Sequence, residues 1–298
     1  MNRSTTRPLL AAAAVLAAFL TACAPADDNS AGTTTSPSAA GSSSATADEC
    51  AKASLQTQTP GKLTIATDQP VFPPWFVDDK PENGQGFEGA VAAAVAKQLG
   101  FAPTEVTWTR VPFNAAIAPG PKKWDFDINE FSITEERKKA VDFSSPYYDV
   151  TQAVITTAGS KAAKVTDLAG LKSLKIGAQV GTTSYDAINA AIKPTQKPAV
   201  YNNNDDAKKA LQNGQVDALV TDLPTAFFIT GAELDNGKIV GQLPSTGGTP
   251  EQFGLVLDKG SPLTSCLNKA VDALKADGTL DSLVQQWLSQ EGGAPVLK

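Results

Sequence analysis

The sequence predicts an α/β protein whose folded part forms two lobes. From residue 63 onward, apolar residues switch repeatedly between the alternating spacing of strands and the three-to-four-residue spacing of helices. Strands that alternate with helices form parallel sheets covered by helices on both faces. The block from 151 to 248 contains its own strand–helix–strand–helix series. We therefore expect this block to form the second lobe by itself.

Each predicted element rests on local spacing and on the residue that ends it. In the first lobe, Gly100 ends an Ala/Val-rich helix and Pro119 ends a short one. The predicted strands are 63–66, 106–110, 126–130, 151–157, 174–178, 216–221 and 253–257. The predicted helices are 88–99, 113–118, 184–192, 205–212, 223–230, 262–276 and 279–288. We expect the last two helices to return and cover the first lobe.

The first 48 residues indicate export and attachment to a membrane. A basic start and the apolar run from Leu9 to Leu20 suit a signal peptide over residues 1–22, and the run is too short for a permanent membrane span. Leu20-Thr-Ala-Cys23 resembles a bacterial lipobox, in which Cys23 is lipidated and becomes the first mature residue. An ordinary secretory signal is the alternative. Residues 23–48 are almost entirely small or polar, which predicts a disordered tether.

The remaining cysteines favour a disulfide, and the composition excludes several kinds of catalytic site. Cys50 and Cys266 form an even pair in an oxidising compartment, which favours a bridge between them over two separate buried thiols. Histidine is absent. A Ser-His-Asp triad is therefore excluded, and the commonest zinc ligand and general base is missing. We expect no metal and no cofactor.

The charge balance argues against nucleic acid as a partner. The net charge is −6, and without Arg3 and Arg7 of the signal peptide 23 basic residues remain against 31 acidic ones. An acidic chain with no basic cluster does not suit a polyanionic partner.

Three short segments at predicted strand ends contain groups suited to a zwitterionic ligand. Arg137 follows a turn containing Ser132, and an arginine can hold a carboxylate through two parallel hydrogen bonds. Gly181-Thr182-Thr183 opens a helix, where free N–H groups and hydroxyls form a generic anion site. Asp222 directly follows a strand and suits an ammonium group. Each segment alone is also typical of a surface turn or a helix cap, but ligands of open α/β lobes bind at such strand ends.

The order of these segments resembles the bacterial extracellular solute-binding proteins, family 3, which are the ligand-capturing subunits of amino-acid ABC importers. The resemblance runs from about Lys62 to Leu288. The matching segments are Ile65-Ala-Thr-Asp68, Phe72-Pro-Pro-Trp75, Gly86-Phe-Glu88, Ser132-Ile-Thr-Glu-Glu-Arg137, Val141-Asp-Phe-Ser-Ser-Pro-Tyr147, Ile176-Gly-Ala-Gln-Val-Gly-Thr-Thr183 and Val216-Asp-Ala-Leu-Val-Thr-Asp222. The family implies a two-lobed periplasmic-binding-protein type II fold, with a mixed, mostly parallel sheet in each lobe.

The resemblance also assigns roles to individual residues. The family's carboxylate-binding arginine, its hydroxyl partner, its helix-start threonine and its ammonium-binding aspartate fall on Arg137, Ser132, Thr183 and Asp222. Phe72 and Phe113 fall where the family places aromatics against the ligand side chain, with ordinary core aromatics as the alternative. The two crossing segments of the hinge fall near 147–151 and 253–256.

Two departures from the family pattern bear on the ligand. Glu130 occupies a position that is usually small or hydroxylated, and the loop after Asp68 is one residue longer than in many relatives. If Glu130 points into the cleft beside Asp68, the acidic pocket suits a cationic amino acid. If Glu130 pairs instead with a lysine such as Lys138, the pocket suits a polar neutral ligand, with Gln179 as a hydrogen-bonding wall. We favour the first alternative slightly.

Together these features predict a lipoprotein that captures an amino acid, with a slight preference for arginine, lysine or ornithine, and delivers it to a permease. The predicted ranges are signal peptide 1–22, tether 23–48, lobe 1 at 49–149 and 255–298, and lobe 2 at 150–254. We expect a monomer on the outer face of the cell membrane. The alternatives are a receptor for polar neutral amino acids and an enzyme on the same scaffold, such as a cyclohexadienyl or prephenate-type dehydratase with Glu130 as general acid.

Overall fold

The computed structural model describes residues 49–245, 248–288 and 293–298. The predicted signal peptide, the predicted lipidation site Cys23 and the predicted tether 23–48 lie outside these ranges. Within the described ranges, no helix has both the length and the apolar character that crossing a membrane requires.

Twelve strands and eight α-helices are formed by the described residues. The strands are β1 (Leu63–Thr67), β2 (Val106–Arg110), β3 (Phe126–Asp127), β4 (Val141–Phe143), β5 (Tyr148–Val150), β6 (Gln152–Thr157), β7 (Ile176–Gln179), β8 (Ala199–Tyr201), β9 (Ala218–Asp222), β10 (Gly237–Gln242), β11 (Glu251–Phe253) and β12 (Val256–Asp258). The helices are α1 (Phe87–Gln98), α2 (Phe113–Ala116), α3 (Leu168–Leu171), α4 (Thr183–Ala187), α5 (Asn204–Gln212), α6 (Leu223–Phe228), α7 (Thr264–Ala276) and α8 (Thr279–Trp287). Helices α4 and α6 each continue into a π-helical turn.

Two five-stranded sheets form two lobes, as predicted. Lobe 1 contains the sheet β2-β1-β3-β12-β4, and lobe 2 contains the sheet β10-β6-β9-β7-β8. In each sheet one strand runs opposite to the other four, namely β12 in lobe 1 and β6 in lobe 2. The sheets are therefore mixed and mostly parallel.

The chain crosses between the lobes through two antiparallel strands. β5 and β11 pair with each other, with Tyr148 opposite Phe253 and Val150 opposite Glu251. The second crossing begins earlier than the predicted 253–256. The predicted strand 253–257 is in fact two strands, because the chain breaks pairing at Gly254, whose N–H donates to Phe131 O. Ile133 and Phe143 pack so closely on Gly254 that a Cβ there would clash.

Each lobe has its own apolar core. In lobe 1, α1, α7 and α8 cover one face of the sheet and bury Ile65, Phe87 and Phe126. Cys50 and Cys266 form a disulfide with Cα atoms 5.3 Å apart, which joins the start of the described domain to α7. The predicted bridge is therefore present.

The last residues of the chain depart from the predicted lobe assignment. Residues 255–298 are predicted to lie in lobe 1, but Val296 forms a parallel bridge with Gln242 of β10 in lobe 2. Leu297 is 3% exposed and packs into the lobe 2 core with Val240 and Leu243. An apolar side chain after the last helix is thus buried by lobe 2 rather than by lobe 1.

Candidate functional site

A narrow cleft between the lobes brings the predicted binding residues together. Nine of the ten line one cavity: Asp68, Phe72, Phe113, Glu130, Arg137, Gln179, Thr182, Thr183 and Asp222. The tenth, Ser132, lies behind this wall, 2% exposed. Its hydroxyl is 3.2 Å from the Thr183 hydroxyl and donates to Glu251 Oε2 at 3.0 Å. On the lobe 2 side the site lies at strand ends, because β7 leads into the turn before Thr183 and β9 ends at Asp222.

Arg137 connects the two lobes from inside the cleft. It lies in a 3-10 turn after Thr134, whose hydroxyl accepts its backbone N–H, and it is 9% exposed. Its Nη1 donates to Ser132 O at 2.7 Å, and its Nη2 donates to Gly181 O of lobe 2 at 2.9 Å. Burial lowers the pKa of the guanidinium, and the nearby carboxylates of Asp222 and Glu251 oppose that shift. A buried arginine without a direct carboxylate partner can form charge-assisted bonds with a carboxylate ligand.

Gly181 permits the close approach of the lobes at this point. Its φ is +77°, in the left-handed region that glycine adopts without strain. A Cβ at this position would lie 2.2 Å from Asn114 Oδ1 of lobe 1. The turn leads into α4, with Thr182 at its N-cap position and the Thr182 hydroxyl bonded to Gln179 O. The turn therefore meets Arg137 through the Gly181 carbonyl, and Thr182 and Thr183 line the same cavity.

Asp222 is a half-buried residue at the end of β9. Its Oδ1 accepts a hydrogen bond of 2.7 Å from Gln152 Nε2, and Gln152 Oε1 in turn accepts the Ser184 hydroxyl. Burial, aided by the charge of Glu251, raises the pKa of Asp222 to about 8. The carboxyl therefore favours its protonated form at neutral pH in the absence of a cation. An ammonium group bound beside it would favour the ionised form.

Glu130 points into the cleft, and the predicted alternative pairing with Lys138 is wrong. Glu130 Oε2 accepts a hydrogen bond of 2.8 Å from the Thr225 hydroxyl of lobe 2. Lys138 instead pairs with Glu135, its neighbour on the same exposed turn, at 2.8 Å. Burial raises the pKa of Glu130 well above its usual range, and the charges of Glu88 and Asp222 add to that shift.

Asp68 and two aromatic side chains complete the lobe 1 wall. Asp68 accepts backbone N–H bonds from Gln69 and Phe113, and burial raises its pKa. Phe113 stacks on Phe131 with ring centroids 4.8 Å apart, and the Arg137 guanidinium lies 5.4 Å from the Phe113 ring centre. Phe72 lines the same cavity.

Several residues of the site are absent from the sequence-based set. They are Trp75, Asn129, Gln152, Asn203, Asn204, Thr225 and Glu251. Trp75 Nε1 donates to the Thr225 hydroxyl across the cleft at 2.8 Å. Asn203 and Asn204 follow β8, a strand that was not predicted from the sequence. Ligands of open α/β lobes bind at strand ends, so a prediction of β8 would have identified both asparagines as candidates. Glu251 lies in the crossing strand β11, and nothing in the local composition there indicates a site residue.

The carboxylates of the described chain do not form a metal centre. No group of three or more Asp, Glu or Cys side chains within residues 49–245, 248–288 and 293–298 is arranged to hold a metal ion.

Comparisons with known proteins identify the relationship. Residues 63–290 match the model of the bacterial extracellular solute-binding proteins, family 3. ABC transporter arginine-binding protein 1 of Escherichia coli (strain K12) is 32% identical over 226 residues, covering 74% of this chain and 88% of that protein. A probable histidine-binding protein of Neisseria gonorrhoeae is 27% identical over 245 residues, covering 81% of this chain and 88% of that protein.

Solved structures agree with the sequence relatives. An ancestral arginine-binding protein bound to glutamine is 35% identical with a TM-score of 0.64, over 77% of this chain and 98% of that one. The ancestral amino acid-binding protein AncCDT-1, a precursor of cyclohexadienyl dehydratase, is 31% identical with a TM-score of 0.62, over 76% and 95% of the two chains. The two mixed sheets, the paired crossing strands and the match over residues 63–290 together show that this chain belongs to the bacterial extracellular solute-binding proteins, family 3.

Proposed function

We propose that this protein captures an amino acid between its lobes and delivers it to the permease of an ABC importer. The observation that supports this most directly is the placement of Arg137 and Asp222 in one cavity, together with the hydroxyls of Thr182 and Thr183. In this proposal the guanidinium and the helix-start N–H groups bind the carboxylate of the ligand. The Asp222 carboxylate binds the ammonium group.

We propose a cationic amino acid, such as arginine, lysine or ornithine, as the preferred ligand. Among the residues that line the cavity, Asp68, Glu130 and Asp222 are acidic, and Arg137 is basic. Asp222 suffices for the ammonium group of any amino acid, which leaves two carboxyls for a second cation on the ligand. The arginine-binding and histidine-binding relatives support this preference.

A polar neutral amino acid is the second candidate. Gln179, Asn129, Asn203 and Asn204 also line the cavity and offer amide groups to a neutral side chain. The ancestral protein that is similar to this chain has been solved with glutamine and also with arginine. Protonation of Glu130, which burial favours, would convert its carboxyl into a neutral hydrogen-bonding group.

The dehydratase alternative has less support. AncCDT-1, a precursor of a dehydratase, is similar to this chain, and Glu130 is a half-buried carboxyl that lines the cleft and has a raised pKa. However, an enzyme acting on a dicarboxylic acid would not need the ammonium-binding carboxyl that we propose for Asp222. We therefore propose a binding protein without catalytic activity.

We further propose that Cys23 is lipidated and that the mature protein is a monomer anchored to the outer face of the cell membrane. The lipobox-like sequence ending at Cys23 supports the anchor, and the Ser/Thr/Ala-rich segment 23–48 supports a tether.

Isothermal titration calorimetry with a panel of ligands tests the proposed function. The panel contains L-arginine, L-lysine, L-ornithine, L-histidine, L-glutamine and prephenate, each titrated into the purified protein at pH 7.5. We expect one-to-one binding of the cationic amino acids with the highest affinity. If L-glutamine binds most tightly, amino-acid capture stands, but the proposed preference for a cationic amino acid is wrong. Binding of none of the amino acids, or turnover of prephenate, would contradict the proposal.

A matched pair of ligands tests the role of Asp222. Asp222→Asn should weaken L-arginine binding more than binding of 5-guanidinopentanoate, which has the same carboxylate and guanidinium but no ammonium. Equal losses for the two ligands would show that Asp222 does not bind the ammonium.

A further inference from the structure

Glu130 is held in an unusual backbone conformation by a residue outside the cavity wall. Its φ is +54°, in the left-handed region that costs a non-glycine residue roughly 1 kcal/mol. In this conformation its N–H donates to Glu88 Oε1 at 2.7 Å. Glu88 lies in the first turn of α1 and is fully buried, and the cavity lining does not include it. The Glu88 carboxyl therefore fixes the direction of Glu130 from beneath the pocket.

Glu88 also contacts the hinge. Tyr147 directly precedes the crossing strand β5, and its backbone N–H donates to Phe253 O of the other crossing strand at 2.9 Å. The Tyr147 hydroxyl donates to the same Glu88 Oε1 that accepts the Glu130 N–H. One oxygen atom thus connects the pocket residue Glu130 to the crossing segments.

The surroundings of Glu88 make its charge state sensitive to a nearby cation. Within the described residues, no lysine or arginine forms an ion pair with it. Described ionisable groups that interact with it include Tyr147, Glu130, Asp127 and Asp222, and none of these four is cationic. Its second oxygen, Oε2, is buried and has no hydrogen-bond partner among the described residues. Burial raises the pKa of Glu88 to about 7.

We propose that Glu88 is a positioning residue that holds Glu130 in place and, when ionised, contributes negative charge to the capture of a cationic amino acid. This inference rests on the proposed function. A cation bound beside Glu130 attracts the charge of an ionised Glu88, whereas a protonated Glu88 provides only its hydrogen-bonding geometry. Affinity for a cationic ligand should therefore rise with pH, in part through the ionisation of Glu88.

Glu88→Gln removes the negative charge of residue 88 but keeps a side chain that can accept the same hydrogen bonds. The amide oxygen of glutamine can accept both bonds that Glu88 Oε1 accepts, while the NH₂ group replaces the unpartnered Oε2. We expect L-arginine to bind E88Q and wild type within about twofold at pH 5.5, where Glu88 is protonated. At pH 8.5, where Glu88 is ionised, E88Q should bind at least about threefold more weakly. Glu82→Gln removes an exposed carboxylate of the same lobe and should follow the wild type at every pH.

A second variant tests whether Glu88 is the titrating group. The Tyr147 hydroxyl bond favours the ionised form and lowers the pKa of Glu88. Tyr147→Phe removes that bond, so the rise in affinity with pH should move to higher pH than in the wild type. An unchanged midpoint would contradict the proposal.

The outcomes distinguish this inference from the proposed function. A ratio of E88Q to wild-type dissociation constants that is the same at pH 5.5 and 8.5 would overturn the charge role, because a purely structural defect does not depend on pH. If wild type binds L-glutamine but not L-arginine, amino-acid capture stands and the inference is overturned. If wild type binds neither probe at any pH, both the proposed function and the inference are contradicted.

Discussion

In the proposed function, three side chains determine what the cleft binds. Arg137 is buried, and among the described residues its guanidinium donates to the backbone carbonyls of Ser132 and Gly181 rather than to a carboxylate, so its positive charge is available to a ligand carboxylate. Desolvation raises the pKa values of Asp222 and Glu130, so both carboxyls keep a proton to higher pH than a free carboxyl does when no ligand cation is present. Binding of a cation to either group releases that proton, and cation binding should therefore strengthen as the pH rises.

The conformation of Glu130 leads to a prediction about stability. Glycine adopts a φ of +54° without strain, whereas alanine keeps the strain of the left-handed region. Both Glu130→Gly and Glu130→Ala remove the carboxyl and its bond to Thr225. We expect E130G to be more stable than E130A by about 1 kcal/mol in urea unfolding, since the two variants differ mainly in this strain. Equal stability, or a more stable E130A, would show that the left-handed conformation of residue 130 is not strained.

The sequence predicted which residues line the cleft better than it predicted how they pack. Asp222 and the turn Gly181-Thr182-Thr183 lie at strand ends, whereas the predicted strand before Arg137 ends at Asp127 and Arg137 lies in a 3-10 turn. Their order along the chain was nevertheless sufficient to predict that they share one cleft. The strained φ of Glu130 and its bond to Glu88 depend on long-range contacts that no local pattern encodes. Trp75 and Thr225 likewise meet only because the lobes approach each other.

At the scale of the elements, the crossing strands explain the mixed sheets. β6 follows the crossing strand β5, and β12 follows the crossing strand β11, so both enter their sheets from the cleft side. Strands that end at the cleft, such as β9, run the other way. Each sheet therefore contains one strand opposite to the rest. Alternating strands and helices in the sequence predicted the parallel part, but the reversed strand depends on the path of the chain.

The disulfide gives a prediction at the same scale. Cys50 and Cys266 are 216 residues apart, and a bridge that closes so long a loop restricts the unfolded chain strongly. We expect the double variant Cys50→Ser/Cys266→Ser to lose roughly 2–5 kcal/mol in urea unfolding relative to the oxidised wild type. Neither cysteine lines the cavity, so L-arginine affinity should stay within about twofold. A variant as stable as the wild type would contradict a stabilising role for the bridge.

At the scale of the whole molecule, the two lobes are held together by contacts across the cleft. Arg137 bonds Gly181 O, the Ser132 and Thr183 hydroxyls are adjacent, and Thr225 links Trp75 to Glu130. Each of these contacts joins lobe 1 to lobe 2 and includes a residue that we propose binds the ligand or lies beside it. Ligand binding and lobe closure should therefore depend on the same side chains. Near the end of the chain, Leu297 also packs into the core of lobe 2.

The central claim is that Arg137 binds the carboxylate of an amino acid, and calorimetric titration of L-arginine into Arg137→Ala tests it most directly. Lys139→Ala is the matched control, because it removes an exposed positive charge from the same turn. Charge-assisted bonds contribute roughly 1.5–3 kcal/mol each, so R137A should weaken binding at least about tenfold, while K139A stays within about twofold of the wild type. Wild-type affinity in a correctly folded R137A would contradict the assignment of the cleft as an amino-acid site.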